Sequence, residues 1–150
     1  MILCIDDDRL MRRAYDAMLT SLNRRVVCVD NVHEAADHLD QETPLLIILD
    51  QYLRDGHGTD FVATIRAERP NLSHVPIVLI SSDNKIDRSH FSELNIRDYI
   101  LKPFNSKTLN EKIEAILNPK IVEETPQGDI NKAQEIEAKD GEATAPETKP

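Results

Sequence analysis

The sequence predicts an α/β fold in which five parallel strands form one sheet with helices on both faces. Short apolar segments alternate five times with segments whose apolar residues recur at helical spacing. The third apolar segment, 45–49, contains no polar residue, as expected of a parallel strand that is covered on both faces. This alternation indicates a doubly wound (βα)₅ sheet with right-handed crossovers.

The elements are assigned in order along the chain. The expected strands are short runs of apolar residues: 2–5, 25–29, 45–49, 75–80 and 99–101. The expected helices carry apolar residues at every third or fourth position: 9–22, 32–39, 61–70, 84–95 and 104–117. The helix at 84–95 is the weakest of these predictions, because that segment is polar and only weakly periodic. Gly56 and Gly58 are interpreted as turn residues.

The composition of the chain changes after about residue 118. Segment 119–150 is rich in charged residues and poor in large apolar ones, so it cannot bury enough surface to offset the entropy of ordering. We therefore expect an ordered domain over 1–118 and an acidic, disordered tail or linker over 119–150. A helix over 130–139 would be only marginally stable by itself.

Charge and hydropathy restrict the classes of function. The net charge of −9 and the absence of Trp disfavour direct binding of nucleic acid, because phosphate contacts require clustered Lys and Arg. The N-terminus shows neither a basic leader nor a long apolar run. We therefore expect a cytoplasmic protein without membrane insertion.

Polar residues follow four of the five predicted strands, at the carboxyl edge where open parallel sheets bind ligands. They are Asp6, Asp7 and Asp8 after the first strand, Asp50 after the third, Ser81 after the fourth and Lys102 after the fifth. Asp8 is expected to cap the first helix. The remaining carboxylates would repel one another unless a cation and the Lys102 ammonium neutralise them. Oxygen ligands of this kind suit Mg²⁺, beside which a carboxylate can act as a nucleophile and form an aspartyl phosphate.

Over about residues 1–118 the chain resembles the response-regulator receiver domains of two-component signalling. The resemblance rests on four segments that occur in order and at matching intervals: ILCIDDD at 2–8, IILDQYLRDG at 47–56, VLISS at 78–82 and DYILKPF at 98–104. It implies a flavodoxin-like strand order of 2-1-3-4-5. It also implies a phosphorylated switch rather than an enzyme.

The resemblance further assigns the acceptor and the metal ligands. Asp50 is implied to be the phospho-acceptor. Asp7 and Asp50 are implied to bind Mg²⁺ directly, with Asp6 acting through water and the backbone carbonyl of Tyr52 as a further ligand. Arg54 stands where the family often has Pro, so the loop after Asp50 is expected to be looser or to make a charged contact.

The resemblance also implies which residues change conformation on phosphorylation. Ser81 is implied to move toward the phosphoryl group, Tyr99 to turn inward, and Lys102 to pair with the phosphoryl group. The peptide bond between Lys102 and Pro103 is implied to be cis. Tyr52 and Asp83 occupy positions that influence the lifetime of the phosphoryl group in this family.

The implied partners are a histidine kinase or a histidine phosphotransfer protein as donor and a downstream protein effector. A phosphorylation-linked homodimer is left open.

Two other functions remain as alternatives. One is a pseudo-receiver, which acts as a constitutive interaction domain. The other is a phosphohydrolase with an aspartyl-phosphate intermediate, although such enzymes usually have Asp at the position of Tyr52.

Overall fold

A computed structural model describes residues 1–120 of the chain. The strands in this part are β1 (Ile2–Ile5), β2 (Val26–Val29), β3 (Leu46–Asp50), β4 (Tyr52–Leu53), β5 (Gly56–His57), β6 (Ile77–Ser81) and β7 (Ile96–Leu101). The α-helices are α1 (Arg9–Leu19), α2 (Val32–Gln41), α3 (Gly58–Glu68) and α4 (Ser106–Leu117). Short 3₁₀ segments follow α1 and α3, at Thr20–Leu22 and Pro70–Leu72.

The central sheet has the order β2-β1-β3-β6-β7, and all its neighbouring strands are parallel. When these five strands are counted along the chain, the order is 2-1-3-4-5, which confirms the predicted fold class. Every residue of β1, β3 and β6 is buried. The polar residues at the ends of these strands therefore follow rigid, fully packed segments.

The core lies on both faces of the sheet, as a doubly wound fold requires. One face packs against α2 and α3, with Leu3, Ile47, Leu49, Leu39, Val62 and Ile65 among its buried residues. The other face packs against α1 and α4, with Ile2, Cys4, Ile48, Tyr15, Leu19, Leu109 and Ile113 among them. Strict alternation along the strands sends successive side chains to opposite faces.

The helix predicted over 84–95 is wrong, because the chain crosses from β6 to β7 through turns. Two acids in this region accept hydrogen bonds from backbone amides two residues further on. Asp83 Oδ1 accepts from Lys85 N at 2.8 Å, and Asp87 Oδ1 accepts from Ser89 N at 2.9 Å. Such local bonds compete with helical ones. The apolar side chains of the segment still pack against the core: Ile86, Phe91 and Leu94.

Several boundaries also differ from the predictions. The strand predicted at 99–101 begins three residues earlier, at Ile96. The expected loop after β3 contains the antiparallel ribbon of β4 and β5.

Residues Met1–Pro119 form one compact unit. The predicted tail and its helix at 130–139 fall almost entirely outside the described residues. Within residues 1–120, no helix combines the length and the apolar character that crossing a membrane would require.

Candidate functional site

The parallel pairing of β1 and β3 brings the acids at their carboxyl ends together. Ile5 of β1 pairs with Leu49 of β3. Asp6, the residue after β1, therefore lies beside Asp50, the last residue of β3. One carboxylate oxygen each from Asp6, Asp7 and Asp50 can be chosen so that all three lie within 4.8 Å of one another. The structure therefore collects three of the sequence-predicted site residues in one cluster.

Asp6 lies at the bottom of this cluster and is fully buried. Its carboxylate accepts hydrogen bonds from Asp8 N at 2.9 Å and from the Tyr15 hydroxyl at 3.3 Å. Burial raises the pKa of the Asp6 carboxyl, while the Asp8 amide and the Lys102 ammonium act in the opposite direction. Burial also raises the pKa of Tyr15, which keeps its hydroxyl protonated as a donor.

Asp50 is 6% exposed and therefore almost buried. Oδ1 accepts a hydrogen bond from Tyr52 N at 3.2 Å, and Oδ2 accepts one from the Lys102 ammonium at 3.2 Å. The same ammonium lies 3.6 Å from Asp6 Oδ2. The Lys102–Pro103 peptide bond is cis.

Asp7 contacts the residue at which this sequence departs from the family pattern. Asp7 Oδ2 accepts a hydrogen bond from Arg54 N at 3.1 Å and lies 3.7 Å from the Arg54 guanidinium. The loop after Asp50 therefore makes the charged contact that was one of the two expectations for Arg54. The next acid, Asp8, caps α1 through bonds from Leu10 N and Met11 N.

Ser81 and Tyr99 both bond to Asp83 rather than to the acidic cluster. The buried Ser81 accepts a hydrogen bond at Oγ from Asp83 N at 3.0 Å. The Tyr99 hydroxyl donates to the Asp83 carbonyl at 3.4 Å, and the Arg88 guanidinium lies 4.4 Å from the centre of the Tyr99 ring. The exposed Tyr52 hydroxyl donates to Asp83 Oδ2 at 2.9 Å.

Two residues position the site in ways that the sequence did not predict: Gly58, which begins α3 and is not the turn residue that was expected, and Gln51. A Cβ atom on Gly58 would lie 2.6 Å from the Asp50 carbonyl oxygen, so the first turn of α3 passes too close to the site for any larger residue. The buried Gln51 side chain accepts from Thr59 N at 3.1 Å and donates to Thr59 Oγ1 at 3.2 Å. A glycine beside a functional loop could have signalled the first contact, whereas nothing in the local sequence signals the second.

The donor set fits a small, hard cation. All three candidate side-chain ligands are carboxylates, and two of them, Asp6 and Asp50, are buried. Their repulsion is only partly offset by Lys102 and by the largely exposed Arg54. Mg²⁺ prefers carboxylate oxygens and retains part of its water shell, which suits a cluster in which Asp7 is partly exposed to solvent.

The sequence model of the family described as "Response regulator receiver domain" matches residues 2–114. The "probable transcriptional regulator ycf27" of Porphyra purpurea is 31% identical over 117 residues, which are 77% of this chain and 46% of that protein. The protein of the same description in Porphyridium aerugineum is 32% identical over 117 residues, with coverage of 77% and 47%. The chain thus spans less than half the length of these relatives.

Solved structures share the fold. The chemotaxis response regulator CheY4 of Vibrio cholerae aligns with a TM-score of 0.70 at 20% identity, over 77% of this chain and 97% of that one. A two-component response regulator from Clostridium difficile gives 0.68 at 29% identity, over 79% and 95%. The response regulator TrrA of Thermotoga maritima, solved in complex with Mg²⁺ and BeF, gives 0.66 at 25% identity, over 77% and 97%.

Proposed function

This chain belongs to the response regulator receiver domain family, and we propose that its residues 1–118 form a switch that is phosphorylated on Asp50. The proposal rests on the surroundings of the Asp50 carboxylate. Asp50 is almost buried, shares a cluster with Asp6 and Asp7, and is bonded by the Lys102 ammonium at 3.2 Å. A nucleophilic carboxylate between a cation site and a fixed ammonium is suited to phosphoryl transfer.

The proposed donor is a phosphohistidine on a histidine kinase or a histidine phosphotransfer protein. An Asp50 carboxylate oxygen attacks phosphorus, so an O–P bond forms and the P–N bond to the donor histidine breaks. The imidazole leaves with the electron pair of the broken bond and takes up a proton from solvent. Each chain accepts one phosphoryl group, and this makes it a switch rather than a catalyst of turnover.

The acidic cluster would hold Mg²⁺ in this proposal. Asp7, Asp50 and the Tyr52 carbonyl would be direct ligands, and Asp6 would act through water. When bound, the ion would neutralise negative charge on the phosphoryl group. The likeness to TrrA, which was solved with Mg²⁺ and BeF, supports this assignment.

Three residues would respond to phosphorylation of Asp50: Ser81, Tyr99 and Lys102. Lys102 would pair with the phosphoryl oxygens, and the Ser81 hydroxyl would turn toward them. Tyr99, which lies two residues before the end of β7, would then turn inward and change the surface around this edge strand. A downstream protein effector would recognise that change.

The experiment is intact mass spectrometry after incubation with Mg²⁺ and acetyl phosphate. Wild type should gain the mass of one phosphoryl group, and Asp50→Asn should gain none. Asp55→Asn is the matched control, because it removes an exposed carboxylate from the nearby turn between β4 and β5. If folded wild type gained no mass under conditions that preserve acyl phosphates, the switch would be rejected in favour of the pseudo-receiver.

A further inference from the structure

Two cationic side chains contact different members of the acidic cluster formed by Asp6, Asp7 and Asp50. The Lys102 ammonium lies 3.6 Å from Asp6 Oδ2 and 3.2 Å from Asp50 Oδ2, the two buried carboxylates. Arg54 instead contacts the third acid, with 3.7 Å between its Nε and Asp7 Oδ2. The Asp7 side chain is 22% exposed and that of Arg54 is 83% exposed. Arg54 therefore places its positive charge on the side of the cluster that faces solvent.

The backbone of Arg54 is fixed beside the same carboxylate. Leu53 of β4 pairs with Gly56 of β5, so Arg54 and Asp55 form the two-residue turn of this ribbon. From the turn, Arg54 N donates to Asp7 Oδ2 at 3.1 Å. Because this bond comes from the backbone, it does not depend on the rotamer of the exposed guanidinium. Every rotamer of Arg54 starts from a Cα atom that is held next to Asp7.

Acidic residues surround the Arg54 side chain. A cavity of about 300 Å³ adjoins the contact, and it is lined by Asp7, Asp30, Asn31, Arg54 and Asp55. Three of these five lining residues are acids, and Arg54 is the one that carries a positive charge. The three carboxylates attract the guanidinium and keep its charge beside the acidic cluster.

We propose that Arg54 weakens the binding of Mg²⁺ to the acidic cluster and thereby raises the Mg²⁺ concentration that phosphorylation of Asp50 requires. The inference rests on the metal site of the proposed function, in which Asp7 is a direct ligand. An ion bound to Asp7 would lie close to a positive charge that contacts the same carboxylate, and like charges repel. This effect needs no second conformation of the protein, because it acts through charge. The Pro that the family often has at this position would supply neither the charge nor the N–H.

The test is titration of the full chain with MgCl₂ at low ionic strength, followed by the amide signals of Asp7 and Asp50 in ¹⁵N–¹H spectra. Arg54→Met removes the charge but keeps the backbone N–H. It should bind Mg²⁺ about fivefold more tightly than wild type, as expected for a single and a double charge about 6 Å apart in surroundings close to water. Arg54→Lys retains the charge and should bind close to wild type.

Added NaCl gives a second readout. The advantage of Arg54→Met over wild type should shrink as NaCl is raised from about 20 mM to about 500 mM, because salt screens interactions between exposed charges. Tighter binding that came from a rearranged loop would persist at high salt, and repulsion by Arg54 would then be rejected.

Arg24→Met is the matched control. Arg24 is exposed and lies just before β2, at the amino edge of the sheet and thus at the end opposite to the acidic cluster. The substitution changes the net charge by the same amount as Arg54→Met does. This control should bind Mg²⁺ as wild type does. Equal tightening in the two variants would assign the effect to net charge and overturn the inference.

Failure of the inference and failure of the proposed function give different results. If wild type binds Mg²⁺ and Arg54→Met binds it equally or more weakly, Arg54 does not oppose the ion, and the proposed function stands. If neither protein binds Mg²⁺, the metal site fails, and the inference fails with it. In the mass assay with acetyl phosphate, the Mg²⁺ concentration that gives half of the maximal gain should fall in Arg54→Met by the same ratio as the dissociation constant. If the ratio is found but neither protein gains mass, the effect of Arg54 on Mg²⁺ binding stands and Asp50 loses its role as acceptor.

Discussion

The Lys102 ammonium donates a hydrogen bond of 3.2 Å to Asp50 Oδ2, although β6 separates the strands that carry the two residues. The long Lys side chain spans this gap, and its Nζ also lies 3.6 Å from Asp6 Oδ2. Lys102 N donates to the Ser81 carbonyl at 2.8 Å, which ties the start of the side chain to the end of β6. The ammonium is therefore held beside both buried carboxylates.

Replacement of Lys102 by Met should slow phosphorylation more than it affects folding. Met fills a similar volume but supplies no charge to the transferring group, and loss of one such fixed donor typically costs about 100-fold in rate. The measurement is the initial rate of mass gain with acetyl phosphate and Mg²⁺. Lys107→Met, on the exposed side of α4, should react at the wild-type rate. Equal rates for the two variants would contradict the role of Lys102.

Mg²⁺ should stabilise the protein through Asp7. Ligand binding to the folded state alone adds about 1.4 kcal/mol of stability when the ion is present at tenfold its dissociation constant. Thermal unfolding with and without Mg²⁺ measures this gain as a shift in Tm, and Asp7→Asn should lose most of it. Asp8→Asn removes the same charge from the neighbouring residue but retains a side chain that caps α1. A Tm shift that is lost equally in both variants would point to nonspecific charge screening.

A methyl group at Gly58 should destabilise the fold and disturb the acceptor loop. The added Cβ would meet the Asp50 carbonyl oxygen at 2.6 Å, and backbone atoms cannot move aside as a flexible side chain can. Overpacking of this kind costs about 1–3 kcal/mol, which urea unfolding of Gly58→Ala would measure. Thr64→Ala, at an exposed position of the same helix, should change the free energy of unfolding by less than about 0.5 kcal/mol.

The stability of the metal-free protein should depend on pH through Asp6. Burial holds the pKa of this carboxyl above its ordinary value of 3.8, so the folded state keeps the proton longer than the unfolded state does. The stability that this proton confers is present below the unfolded pKa and is lost as pH rises through the folded pKa. The side chain of the Asp6→Asn variant cannot ionise, so this variant does not lose that stability as pH rises.

Urea unfolding in the presence of a chelator, from about pH 4 to about pH 7, tests this linkage. The free energy of unfolding of Asp6→Asn, minus that of wild type, should increase with pH. A difference that stayed constant or decreased would show that Asp6 ionises without cost in the folded protein. Asp60→Asn, an exposed carboxylate of α3, is the control for unrelated titration.

Much of the fold could be predicted from the chain alone. Apolar runs such as 45–49 indicate buried parallel strands, because strands covered on both faces exclude polar residues; β3 itself begins at Leu46, and Leu45 before it is exposed. Strand order and handedness then bring the residues after β1 and β3 to one edge. The meeting of Asp6, Asp7 and Asp50 follows from that rule and needs no further packing detail.

Contacts between loops could not be predicted in this way. Segment 84–95 is polar and only weakly periodic, and the hydrogen bonds that backbone amides donate to the Asp83 and Asp87 carboxylates favour turns over a helix. The contact of Arg54 with Asp7 depends on where the β4–β5 ribbon carries the loop after β3.

The sequence by itself therefore determined the five strands of the central sheet and the acids at their carboxyl ends, because periodicity acts locally along the chain, whereas the strand order was implied by the resemblance to receiver domains. The tertiary structure alone decided that Asp83 bonds Ser81, Tyr99 and Tyr52, and that Gly58 passes against Asp50. Tyr52 and Asp83 are 31 residues apart, and no local pattern encodes a hydrogen bond between two exposed polar side chains at that separation. Such a bond depends on how the packed core places the ends of β3 and β6 side by side.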